Sequence, residues 1–172
     1  MWGRSEASER GSLIGDIAEY HQIYSREHRH FLRIPANQVE EVMAWLSGHV
    51  GRNVEAPDLA AAGLRFAGGR ILVINGGQVA ELIYARQYGL PIALCISRTP
   101  GDNTALNVEH MGLQRAASWV KGGIAYVVVG EIDRPMAETL AALVRAEIES
   151  DVVPLAFFSS PAAHETLTGR RD

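Results

Sequence analysis

The sequence of 172 residues has the length of one ordinary globular domain. Hydrophobic residues make up 47% of it and charged residues 21%, a balance that excludes an intrinsically disordered chain. Its 20 acidic residues outnumber 16 Lys and Arg, which gives a formal net charge of −4. No strong positive field exists to attract phosphate backbones, so we expect no nucleic-acid partner.

The sequence contains a single cysteine, Cys95. One cysteine cannot form an internal disulfide or build a structural zinc site of the usual cysteine-rich kind. Because Cys95 lies in an apolar run, where burial disfavours a thiolate, we expect it to fill space in the core. No uncharged segment reaches the roughly 18 apolar residues that span a bilayer, and the first residues hold no apolar leader core. We therefore expect a soluble chain.

Residues 1–12 are polar and aperiodic, which predicts a flexible lead-in. A helical stripe comes next, because apolar positions recur at three- and four-residue spacing at Leu13, Ile14, Ile17, Tyr20, His21 and Tyr24. We predict one folded domain over residues 13–150. The two prolines, two serines and basic end of residues 151–172 predict a loosely held tail.

Three elements are predicted between the first helix and the β-rich region. His30–Ile34 is predicted to be extended, because Pro35 disfavours the α region in the residue before it. Apolar residues at helical spacing predict a helix from Val39 to Val50. Residues 52–63 are predicted to be a connector with one short helical turn around Leu59.

A pair of glycines predicts the first hairpin turn. Gly76–Gly77 supplies the positive φ angles that a tight turn needs between two apolar runs. In that register Val73 faces Ala80. Ile71 then faces Leu82, which gives the hairpin one apolar face for a core.

Two further hairpins are predicted along the β-rich region. Gln87–Gly89 is predicted to be a loop, because the residues Leu90–Ser97 after it alternate with the period of a strand. Gly122–Gly123 closes the third hairpin. Its two-residue loop places Trp119 directly opposite Tyr126.

The last predicted element is a helix capped by Asp133, with Pro135 tolerated in its first turn. Its buried stripe is predicted to contain Met136, Leu140, Leu143, Val144 and Ile148. Helices separated in sequence from hairpin-linked strands indicate an α+β domain. We predict an antiparallel sheet with about three helices packed on one of its faces.

The histidines supply the strongest candidate site. His28 and His30 would point to one face of an extended segment, where they could bind a metal ion if a third ligand joined them. The alternative is an exposed pair at a helix-to-strand corner, since no carboxylate or cysteine stands at a recognised ligand spacing. We expect no cofactor and no metal, with His28 and His30 as the alternative metal site.

The sequence gives no positive signal for catalysis. It contains no Gly-x-Ser-x-Gly nucleophile motif, and its glycine pairs match no phosphate-binding loop. Trp119 opposite Tyr126 could form an aromatic platform for a ligand, although a cross-strand pair that stabilises the hairpin explains them more simply. We therefore expect that this chain is not an enzyme.

Six segments combine turn motifs with apolar residues in a distinctive order. They are Ala18–Tyr24, His28–Ala36, Ala44–Ser47, Ala56–Leu72, Ala80–Tyr84, and Trp119–Tyr126 with Gly130. In this order they resemble the C-terminal extracytoplasmic portion of membrane-anchored anti-sigma factors. The resemblance covers about residues 18–149. Because these residues are turn and core residues, they indicate a domain family rather than a reaction.

In that family an N-terminal cytoplasmic domain holds an extracytoplasmic-function sigma factor inactive, one transmembrane helix follows, and the outer domain takes part in signal reception. The resemblance implies that this chain is a non-catalytic sensory or regulatory domain in the periplasm. Its partners would be periplasmic signalling or protease components, whereas sigma-factor binding and membrane anchoring would belong to parts outside this chain. A small metal- or ligand-binding protein that uses His28 and His30 is the alternative, and a cytosolic enzyme comes third.

Overall fold

A six-stranded antiparallel sheet forms the centre of the structure. The computed structural model describes residues 6–27 and 55–150, together with helical positions 40, 43, 44, 47 and 48. Its elements in chain order are α1 (Glu6–Glu27), a 3₁₀ turn (Ala60–Ala62), β1 (Leu64–Ile74), β2 (Gly77–Arg86), β3 (Ile92–Arg98), β4 (Thr104–Met111), β5 (Gln114–Lys121), β6 (Ile124–Gly130) and α2 (Arg134–Ser150). This is an α+β fold, as the sequence predicts.

The sheet consists of two three-stranded meanders joined side by side. Its strand order is β1-β2-β3-β6-β5-β4, and every neighbouring pair is antiparallel. The central β3–β6 pair joins the two meanders, so β1 and β4 are left at the edges. Short links suffice because antiparallel strands need no crossover helix.

The third predicted hairpin is confirmed. Trp119 lies opposite Tyr126, and the loop residues Gly122 and Gly123 have φ angles of 61° and 75°. Positive φ angles at both central residues give a turn whose twist matches that of the flanking strands. The predicted loop after β2 is also confirmed, since β2 ends at Arg86 and pairs with β3.

The predicted register of the first hairpin is wrong. Its turn residues are Asn75 and Gly76, with φ angles of 50° and 79°, and Gly77 already belongs to β2. Asparagine tolerates the left-handed region, so Asn-Gly takes the turn in place of Gly-Gly. As a result Ile71 faces Ala80, and the side chain of Val73 is 71% exposed instead of lying in the core.

The prediction that helices cover one face of the sheet is also wrong. One buried cluster joins α1 to one face of the sheet, which we call the α1 face. A second cluster joins α2 to the opposite face, the α2 face. On β3, Leu94 belongs to the second cluster and its neighbour Cys95 to the first, because successive side chains point to opposite faces. Both faces of the central strands are therefore buried.

Two α-helices, α1 and α2, are described over their full length, where three were predicted; within the third, the described positions 40, 43, 44, 47 and 48 are helical. Most of the helix predicted from Val39 to Val50, and all of the extended segment predicted at His30–Ile34, lie outside the described residues. α1 begins at Glu6, earlier than the predicted start at Leu13. Strand β4 was not predicted, because at the edge of the sheet most of its side chains are polar or partly exposed.

The predicted cap and connector are confirmed. The Asp133 carboxylate accepts a hydrogen bond from the Met136 N–H at 2.9 Å and so caps α2. The connector makes one 3₁₀ turn, which Gly63 ends in the left-handed region with φ 76°. The hydroxyl of Tyr84 on β2 donates to the Pro57 carbonyl at 2.8 Å, and this bond fixes the connector on the sheet.

Candidate functional site

The interface between α1 and the sheet carries the most unusual chemistry among the described residues. Its apolar part consists of Ile14, Ile17 and Ala18, which pack on Leu72, Val79, Ile83, Ala93, Cys95, Ala116, Val127 and Val129. Among the α1 side chains that the structure describes, these three are buried and Leu13 packs beside them, partly buried. Polar contacts add to this apolar packing.

Two buried polar side chains contact the C-terminal half of α1. The imidazole Nε2–H of His21 donates to the Pro91 carbonyl at 2.9 Å, and only 1% of the His21 surface is exposed. The Gln114 amide of β5, oriented with its nitrogen toward α1, donates to the Ala18 carbonyl and accepts from the Gln22 N–H. These bonds tie one turn of α1 to the β2–β3 loop and to the start of β5.

A buried ion pair lies beside these contacts. Arg70 on β1 faces Glu81 on β2, and the Arg70 guanidinium donates two hydrogen bonds to one Glu81 oxygen, the Nε bond at 2.8 Å. Above the pair, the guanidinium stacks on the ring of Tyr20 of α1, 4.9 Å from its centroid. We call His21, Arg70, Glu81 and Gln114 the buried polar cluster.

Burial shifts the pKa of two members of this cluster. It lowers the pKa of His21 below its usual value, and the nearby Arg70 charge lowers it further, against the opposing effects of the Pro91 hydrogen bond and Glu131. Burial also raises the pKa of Glu81, and the ion pair with Arg70 offsets only part of that increase. Both groups are thus biased toward their neutral forms.

The thiol of Cys95 lies directly across the strands from Glu81. Burial raises its pKa well above the usual value, and the negative charge of Glu81 acts in the same direction. A thiol held protonated is a poor nucleophile. Cys95 therefore fills space beneath α1, as the sequence predicts.

His28 and His30 are outside the described residues. Among the side chains that the structure describes, no three His, Cys, Asp or Glu groups lie close enough to share a metal ion. Trp119 and Tyr126 stack at 5.3 Å between centroids, and both are buried on the α2 face. They are a cross-strand pair and offer no open platform.

A cleft lies far from the buried polar cluster, at the end of the sheet beside the C-terminus of α2. It has a volume of about 670 Å³ and is lined by Arg98, Thr99, Pro100, Lys121, Gly122, Gly123, Ile124, Tyr126 and Ile148. Two of these side chains, Arg98 and Lys121, are cationic and exposed.

One signal in the sequence could have revealed the cluster. Glu81 interrupts the apolar run Val79–Tyr84, and a carboxylate within a buried strand needs a partner. The partner, Arg70, lies 11 positions away and becomes adjacent only through the β1–β2 register. The wrong register therefore hid the pair.

Comparison with known proteins adds no family. No protein-family model matches the chain, and no curated protein matches it either. Neither described helix has the length and apolar character needed to cross a membrane.

Proposed function

We propose that this chain is the extracytoplasmic regulatory domain of a membrane-anchored anti-sigma factor, and that it acts without catalysis. The observation that carries the proposal is the placement of α1. This helix lies on one face of the sheet and contacts it through the apolar residues Ile14, Ile17 and Ala18 and through the buried polar cluster, which together define one interface. A domain that signals needs two states, and docked and undocked α1 supply them.

The resemblance to anti-sigma factors supports this proposal at two places. The segment Ala56–Leu72 contains the Pro57 carbonyl that binds Tyr84, the left-handed Gly63 and the ion-paired Arg70. The segment Trp119–Tyr126 contains the stacked aromatic pair and the Gly122–Gly123 turn. Each shared motif thus has a structural role, as expected of residues that define a domain family.

The position of α1 before the sheet gives the proposal a mechanism. In a membrane-anchored protein an upstream transmembrane helix would be joined to the sheet through α1. Release of α1 would expose the apolar α1 face and change what a periplasmic protease or signalling partner can reach. Stability of the α1 interface would then set the resting level of sigma-factor activity.

A transcription reporter tests this function. The gene that encodes the chain, with its upstream coding sequence, is expressed beside a promoter of the associated sigma factor. Ile17→Asp buries a charge under α1 and is expected to change reporter output several-fold, whereas Val73→Asp, on an exposed side chain, leaves it unchanged. Equal output from both variants and wild type would reject the regulatory role, and a cytoplasmic location of a C-terminal alkaline phosphatase fusion would reject the periplasmic one.

A further inference from the structure

We propose that α1 is an acid-released latch, and that His21 is the group whose protonation frees this helix from the sheet. The device is a property of the folded chain and does not require the anti-sigma role. It can therefore be tested on the purified protein, and its failure would leave the proposed function standing.

The geometry around His21 admits one proton and not two. Its Nε2–H donates to the Pro91 carbonyl, so the neutral ring carries no hydrogen on Nδ1. Nδ1 is buried and has no hydrogen-bond partner in the described part of the chain. A second proton would create a buried charge and a buried donor without an acceptor, and both are costly.

The acceptor of His21 is held rigidly. Arg86 on β2 donates from Nε to the Leu90 carbonyl at 2.8 Å and from its guanidinium to the Glu131 carbonyl at 3.0 Å. These bonds fix the backbone next to Pro91. The imidazole cannot turn Nδ1 toward that carbonyl without losing the bond from Nε2.

The charges that face His21 come from two elements of the sheet. The Arg70 guanidinium of β1 disfavours a second positive charge, and Glu131, which follows β6, favours one. Burial outweighs the favourable effects, so the pKa of His21 lies below 6.5 while α1 is docked. When α1 leaves, the ring enters water and its pKa returns to its ordinary value. The docked helix is thus fully favoured above pH 6.5 and becomes less favoured as the pH falls below it.

Glu81 acts in the opposite direction. Its raised pKa means that the docked state binds a proton more readily, so acid favours docking through this group. However, Glu81 stays on β2 beside Arg70 when α1 departs, and it keeps the ion-pair part of its surroundings. His21 leaves with α1 and loses its whole environment. Release by acid requires the His21 effect to exceed that of Glu81, and the Glu81→Gln variant separates the two.

Cys95 provides an intrinsic probe for this release. It is the single cysteine, it is buried, and it lies on the α1 face in the cluster with Ile14 and Ile17. The labelling rate with 4,4′-dithiodipyridine, which reacts at acidic pH, is compared at each pH with the rate for the chain in denaturant. The ratio of the two rates is a protection factor that measures opening of α1.

We expect the protection factor of the wild-type chain to fall about three- to tenfold between pH 7.5 and 5.5, since an exposed imidazole with a pKa of 6.5 binds its proton within this interval and can shift the equilibrium by about tenfold at most. His21→Gln keeps a donor for Pro91 and should remove the fall. Glu81→Gln should make the fall of the protection factor with decreasing pH steeper. His110→Gln, a matched change of an exposed histidine on β4, should behave like wild type.

Hydrogen exchange of the wild-type chain provides a second readout that needs no variant. After correction for the intrinsic pH dependence of exchange, α1 amides should lose protection at pH 5.5 while those of α2 keep it. A wild-type protection factor that does not change with pH would overturn the proposal. So would a fall in His21→Gln equal to that of wild type, or loss of protection in α1 and α2 together.

Discussion

Arg70 and Glu81 face each other across β1 and β2, and both hydrogen bonds from the guanidinium go to the same carboxylate oxygen. The Glu81 side chain is fully buried, whereas that of Arg70 is 20% exposed. The second carboxylate oxygen is buried without a hydrogen-bond partner in the described part of the chain. The negative charge of Glu81 is therefore compensated through one oxygen, and burial of this charge depends on Arg70.

Removal of Arg70 alone should be strongly destabilising. Arg70→Ala leaves a buried carboxylate without its cation, and we expect the free energy of unfolding at pH 7 to fall by about 3 to 5 kcal/mol. Urea denaturation followed by circular dichroism measures this change. The double variant Arg70→Leu, Glu81→Leu removes both charges and should be less destabilised than Arg70→Ala. A double variant that is less stable than the single one would show that the pair is not the source of the effect.

The sequence predicts the outline of the fold better than it predicts this site. Trp119 and Tyr126 could be paired because a two-residue glycine loop fixes their register. Arg70 and Glu81 could not be paired from the sequence, because the first hairpin turns at Asn75 and Gly76 and not at the predicted Gly76 and Gly77. The turn lies one residue earlier than predicted, which moves every cross-strand partner by two positions, so a pair that depends on register is lost with it.

The sequence of β3 contains the pattern expected of a strand that is buried on both faces, which the prediction of helices on one face does not use. On β3, Leu94 and Ile96 point to one face of the sheet and are apolar. Ala93 and Cys95 point to the other face, and they are apolar or small as well. A strand that faces water on one side alternates apolar with polar residues, whereas a strand covered on both sides is apolar throughout. The stripe predicted on the first helix, by contrast, contains the buried Ile14, Ile17 and His21, although Tyr20 of the same stripe is 38% exposed.

Gly123, in a tight turn, and Gly77, at the start of β2, should respond differently to alanine. Gly123 has φ 75°, and we expect Gly123→Ala to lower the free energy of unfolding by about 1 to 2 kcal/mol. Gly77 is not in the left-handed region, and a Cβ there would lie 3.5 Å from the Ile74 carbonyl oxygen, an ordinary contact. Gly77→Ala should therefore be neutral or slightly stabilising. Thermal denaturation of the two variants compares these effects, and equal losses would contradict the turn assignment.

Trp119 should be among the most sensitive positions on the α2 face. Its ring stacks on Tyr126, with the Arg145 guanidinium of α2 6.0 Å from its centroid. Trp119→Ala leaves a cavity, and we expect a loss of about 3 to 5 kcal/mol in denaturant titration. Trp119→Phe keeps a stacked ring and should lose clearly less. If the alanine variant unfolds at the same denaturant concentration as wild type, the pair contributes nothing to stability.

We expect no tight zinc or copper site in the purified chain. His28 and His30 supply two ligands at most, and a stable site usually needs three or four. Calorimetric titration with zinc or copper should show no stoichiometric binding at micromolar concentration. Sub-micromolar binding that disappears in the double variant His28→Ala, His30→Ala would instead support the alternative metal-binding function.

A comparison of the two helices would show whether α1 opens separately from the rest of the fold. Ile17 on α1 and Leu140 on α2 are both almost completely buried, on opposite faces of the sheet. If the chain unfolds only as a whole, Ile17→Ala and Leu140→Ala should each reduce the free energy of unfolding by about 2 to 5 kcal/mol. Labelling of Cys95 would then be faster in both variants to the same extent. If α1 is a separate unit, labelling of Cys95 in the absence of denaturant should accelerate much more in Ile17→Ala.

Leu140→Ala would then affect mainly the global transition, because Cys95 lies beneath α1 and not beneath α2. The dependence of the labelling rate on urea distinguishes the two routes: an opening that exposes only the α1 face has a smaller slope than complete unfolding. A small slope in wild type that stays small in Ile17→Ala would identify α1 as the least stable part of the interface. Slopes equal to that of global unfolding in every variant would mean that α1 leaves the sheet only when the whole sheet unfolds, and a latch would then be ruled out.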